Sequence, residues 1–130
     1  MRQGLLHGDT ANEVAEHITP MLFEDPMSSP GNIDIADHER AIVLEGEFTH
    51  LASEWVDDGV VARGNKFEVL DDLARPESEI PSSYRRHERV MQVLEAEEGD
   101  VTVETMQSLS VDHTNGPGLE SICRHEEHGY

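Results

Sequence analysis

A chain of 130 residues makes one domain at most and can bury roughly two-thirds of its extended surface. Its 28 Asp and Glu against 9 Lys and Arg give a net charge of −19, with Lys66 the single lysine; there is no basic stripe for nucleic acid, and this Lys-poor acidity suits a protein adapted to multimolar salt. No apolar run approaches a membrane span, residues 1–10 lack the apolar core of a signal peptide, and the one cysteine, Cys123, forms no intrachain disulfide, so a cytoplasmic address is expected.

Residues 1–18 read as helical with a break. Thr10 and Glu13 form a capping box, Ala11, Val14, Ala15 and Ile18 share an apolar face, and Pro20 is expected to end the helix. Residues 21–31, with Pro26 and Pro30, read as a loop. A hairpin follows over 32–45: Ile33 and Ile35 alternate with polar positions, residues 37–40 turn, and the compact run Ala41, Ile42, Val43, Leu44 leads to Glu45. Residues 48–56 suggest a third strand with Leu51 and Trp55 in the core, and 60–63 a fourth, giving an antiparallel meander. After a polar loop over 71–81, Ser82 or Ser83 should cap a helix running to about Glu98. Tyr84, His87, Met91 and Leu94 mark its inner face and Gly99 its stop. Thr102 caps a shorter helix with Val103, Met106 and Leu109 inward. A turn at 115–118 then leads to an expected strand over 121–124.

Two residues carry chemistry by their type and place. Asn65, just past a strand end, offers an amide donor to a developing oxyanion; the ordinary reading is a turn Asn beside Gly64. Arg86, on the first turns of the helix, offers a guanidinium fork to a carboxylate or oxyanion. Its ordinary reading is a helix-surface pair with Glu88 or Glu95, with Arg85 the alternative in register and Arg89 the one suited to structural ion pairs.

Three blocks in order resemble the penicillin acyltransferase family, the cysteine-type N-terminal-nucleophile hydrolases related to isopenicillin N acyltransferase. They are Gly64-Asn65-Lys66-Phe67, then Ser83-Tyr84-Arg85-Arg86-His87-Glu88-Arg89, then Asp112-His113 with Ser121-Ile122-Cys123-Arg124-His125. Gly64 and Lys66 depart from the Thr and His/Tyr usual at those places. The resemblance implies an α+β fold, part of an αββα sandwich with antiparallel strands and flanking helices, residues 1–130 making one partial domain from a later portion of the catalytic domain. It implies amide hydrolysis or acyl transfer on a small N-acyl substrate through a cysteine thiolate whose own α-amino group is the base. Asn65 would hold the oxyanion and Arg86 would position charge, with no cofactor; a coenzyme A thioester is an acyl donor by analogy only. The family's nucleophile lies upstream of these blocks and has no counterpart here, so the chain by itself is expected to be inactive and completed by the missing part of the enzyme. The alternative is a non-catalytic remnant serving as a binding or oligomerising module. An open sheet edge in either would favour self-association.

Cys123 reads as a core thiol rather than a nucleophile. Cys123, His125 and His128, with His113 nearby, offer N and S ligands, but the run lacks a paired Cys-x-x-Cys or a His-Glu-x-x-His helix, and no metal is expected. Ser83, His113 and Asp112 are available as a triad only in the combinatorial sense.

Overall fold

The computed structural model describes residues 8–24 and 30–125; the expectations for residues 1–7, Pro26 and His128 lie outside them. Among the described residues the fold is α+β: three α-helices, a single 3-10 turn at Asp71–Leu73 and a three-stranded antiparallel sheet. It divides into two compact units, Met1–Asp58 with Phe67–Ala74, and Gly59–Lys66 with Arg75–Tyr130.

The first unit opens with helix α1, Ala11–Glu24. Its capping box forms as read: Thr10 Oγ1 accepts the Glu13 amide at 3.2 Å, and Glu13 Oε2 accepts the Thr10 amide at 3.3 Å. The amide of Ala11 donates to Asp37 Oδ2 at 2.7 Å, so a carboxylate from the hairpin turn also sits at the positive end of the helix. Pro20 does not end α1. It removes one amide donor, yet the next turn brings Leu22 against the core, and that burial offsets the lost bond.

Strands β1 (Gly31–Ala36), β2 (Ala41–Glu47) and β3 (His50–Val56) pair in that order. Ile33 lies opposite Leu44, and Ile35 opposite Ile42. Because alternate residues share a face, these four form one apolar surface, and Ala11, Val14, Ala15 and Ile18 of α1 cover it. Leu51 packs partly buried against this core, but Trp55 is 38% exposed with the Arg40 guanidinium 4.8 Å above its ring.

Val43 and Glu45 point to the other face and are fully buried. Glu45 accepts the amides of Glu68, Val69 and Leu70 at 2.8 to 3.0 Å. Those amides lie outside any helix or strand. The buried carboxylate therefore supplies what a strand partner would otherwise supply, and it pins residues 67–74 with the buried Phe67.

The expected fourth strand is absent from this sheet: residues 60–63 belong to the second unit. Gly59 takes φ +90°, a conformation glycine adopts without strain, and the chain leaves β3 there. The Ala62 carbonyl then lies 3.2 Å from His87 Nε2, which must carry the proton because the carbonyl can only accept.

In the second unit, α2 spans Pro81–Ala96. Neither serine caps it. Ile80 is the N-cap, Pro81 presets the first helical φ, and the Ile80 carbonyl accepts the Ser83 amide at 3.0 Å. Ser83 is instead buried, as is Leu94. Gly99, at φ +84°, lies just past the helix end. Helix α3, Val103–Ser110, is capped by Thr102 in a reciprocal box with Thr105. Its inner face is Thr105 and Leu109, four apart, whereas Val103 and Met106 are exposed. Residues 121–124 form no strand. Cys123 donates its amide to the Asp112 carbonyl at 3.1 Å, so the segment closes a loop rather than joining a sheet.

Candidate functional site

Helix α2 gathers the chemistry-bearing residues of the second unit. A Cβ built on Gly64 would lie 3.7 Å from the Ser83 carbonyl oxygen and 3.8 Å from His87 Cβ, and Lys66 Nζ stands 4.6 Å above the Tyr84 ring. The turn bearing Asn65 is thus seated on the first turns of α2, with Asn65 itself exposed. Tyr84 is fixed in turn by its hydroxyl, which donates to the Arg75 carbonyl at 3.0 Å.

Arg86 lies on the same turns. Its Nη1 donates to the Leu119 carbonyl at 2.7 Å and its Nη2 to Ser83 Oγ at 3.4 Å. In this chain the fork therefore braces the loop after α3 through a carbonyl and a hydroxyl. Arg85 is exposed, with Nε 4.0 Å from Glu77. One turn further on, Arg89 makes the structural ion pair its position suggested: Nε and Nη2 donate to Asp112 Oδ2 at 3.0 and 2.8 Å. That pair is partly buried, and the Arg89 hydrogen bonds hold the Asp112 carboxyl below the usual carboxylate range.

Asp112 organises the loop that follows. Its carbonyl accepts both the Cys123 amide and the Ser121 hydroxyl, the latter at 2.7 Å, and Ser121 is fully buried. Asn115 Nδ2 donates to the Glu120 carbonyl at 3.2 Å and to the Arg85 carbonyl at 3.4 Å. This closure brings His113 and His125, twelve residues apart, to an Nε2–Nε2 distance of 2.6 Å with nearly parallel rings, 17° between planes. Cys123 is half-buried beside them; its Sγ and the two imidazole donors all lie within 4.8 Å of one another. The sequence shows these three residue types but no motif that joins them, because the joining is done by loop hydrogen bonds. The Ser83, Asp112 and His113 set does not form a triad: Ser83 meets Arg86, Asp112 meets Arg89, and His113 meets His125.

No family model matches the chain, no curated protein matches it in sequence, and no solved structure matches its fold. Among the described residues, no helix is long and apolar enough to cross a membrane.

Proposed function

We propose that the chain is the portion of a cysteine N-terminal-nucleophile amidohydrolase or acyltransferase that follows the nucleophile. It would complete a site for a small N-acyl substrate and be inactive by itself. The observation that supports this reading is assembly: the three blocks on which the resemblance rests all meet on α2. Gly64 and Lys66 pack on its first turns, Arg86 reaches Leu119, and Arg89 holds Asp112.

In the chemistry this implies, the thiolate adds to the amide carbonyl, the amine leaves with a proton from the nucleophile's α-ammonium, and water or another amine resolves the thioester. Asn65, exposed on a seated turn, would donate its side-chain amide to the tetrahedral oxyanion. Arg86 would position charge through the loop it braces. The three-stranded sheet, with helix α1 on one face, suits a partial αββα sandwich.

The test begins with the intact mass and first residue of the native polypeptide. A product longer than 14.5 kDa that begins with Cys agrees with the proposal. A product of that mass, with no Cys-bearing partner copurifying, overturns it. In the active form, Asn65→Ala should lower kcat about 10²- to 10³-fold with KM little changed; an unchanged kcat would remove Asn65 from the oxyanion role.

A further inference from the structure

We infer that His113, Cys123 and His125 form a zinc-class metal site that takes, among the described residues, three protein ligands: two imidazole nitrogens and one thiolate. The inference stands on geometry and is independent of the amidohydrolase chemistry, which assigns no role to these side chains although the third block of the resemblance contains them.

The donor set selects the metal. Two imidazoles and a thiolate suit a borderline ion such as Zn²⁺, whereas Mg²⁺ and Ca²⁺ want oxygens. The carboxylate of Asp112, the residue before His113, is already engaged by Arg89 and by the amide and hydroxyl of Thr114.

The geometry points the same way. Two Nε2 atoms at 2.6 Å need something between them, since two bare lone pairs repel. A single shared proton meets that need and leaves the thiol beside it without a role. A cation meets it for all three ligands. Tetrahedral zinc, with Zn–N of about 2.0–2.1 Å, sets its nitrogens about 3.3 Å apart. The two histidines are exposed, so side-chain rotation can open the pair by the ~0.7 Å that this geometry requires.

The backbone beneath is already arranged. The Asp112 carbonyl holds Ser121 and Cys123, the Pro117 carbonyl accepts the His125 amide at 3.4 Å, and Arg89 anchors Asp112. Little ordering is then left to oppose binding.

The experiment uses the full chain, stripped with a chelator and titrated with Co²⁺ and then Zn²⁺. The expected result is one Co²⁺ per chain, with a thiolate-to-cobalt charge-transfer band in the near ultraviolet, visible d–d bands of tetrahedral intensity, and displacement by Zn²⁺. Cys123→Ser should abolish the charge-transfer band. His113→Ala should weaken binding by more than the roughly 10- to 100-fold that loss of an outer-shell partner costs. His38→Ala, a change at a surface histidine of the other unit, should leave binding unaltered.

Absence of the sulfur band from the wild-type chain overturns the site. So does zinc uptake equal in wild type and Cys123→Ser, which would mark binding to surface carboxylates. If a variant fails to fold, the wild-type chain still decides: Zn²⁺ must raise its Tm, because an ion held only by the native state stabilises it, and an unchanged Tm overturns the proposal.

Discussion

At the scale of single residues, Asp37 shows how far local sequence reaches. The turn over 37–40 was legible from its composition, and Asp37 Oδ1 does accept the Glu39 and Arg40 amides, at 2.7 and 3.0 Å. Its second oxygen, on the Ala11 amide 26 residues away, was not legible, since no local pattern announces a cap supplied from another element. Those three backbone amides, Ala11 foremost, lower the Asp37 pKa from 3.8 to about 2. The folded state thus binds this proton more weakly than the unfolded chain does. The carboxylate's contribution to stability is complete above pH 3.8 and disappears as pH falls toward 2. Asp37→Asn should therefore melt below wild type near neutral pH, with the gap in Tm closing across that window. A gap independent of pH would mean that the amides do not distinguish carboxylate from amide. Comparing the two proteins matters here, because protonation elsewhere relieves repulsion in both.

Elements are most legible where a period and a cap agree. Helix α1 and the hairpin β1–β2 lie near the places that the sequence predicts, as does the Thr102 cap of α3. Two departures share a cause: tertiary contacts override local punctuation, as Leu22 overrules Pro20 and contact with α2 takes residues 60–63 out of the sheet. The serine caps of α2 yield instead to a local signal, Pro81 at the start of the helix after Ile80. Glu45 is the instructive case. A carboxylate at the end of the run Ile42, Val43, Leu44 is visible in the sequence, but not that it would be wholly buried as acceptor for three amides. Glu45→Gln keeps the shape and loses the charge, and one side of the amide cannot accept. We expect a loss of about 2–3 kcal/mol in unfolding free energy by denaturant titration, the scale of hydrogen bonds to a buried charged group. A change below about 0.5 kcal/mol, the level of a neutral surface substitution, would show that residues 67–74 are held by Phe67 and not by the carboxylate. The candidate site follows the same rule: its residue types are visible in the sequence, and the loop that joins His113 to Cys123 and His125 is not.

Across the whole molecule, the excess of negative charge governs how stability responds to solvent. With 28 acidic side chains against 9 basic ones, repulsion acts between groups that the fold cannot pair. The surface pairs that do form, such as Arg40 with Asp57 and Arg75 with Glu79, are exposed and worth little. The screening length falls from about 10 Å at 0.1 M salt to about 3 Å at 1 M, so Tm should climb through the molar range of KCl. A flat profile would show that the acidic groups lie too far apart to oppose folding.

The two units also have an order along the chain. The backbone passes from the first to the second at 58–59, returns at 66–67, and leaves again at 74–75. No single cut can therefore divide the protein into two self-sufficient halves. A piece ending at Asp58 would carry the sheet, α1 and Glu45 but not the Glu68, Val69 and Leu70 amides that Glu45 accepts, so a buried carboxylate would lose three donors. A piece beginning at Gly59 would carry residues 67–74 without the strand that holds them. Dissection of this protein must take out an internal segment or keep the chain whole.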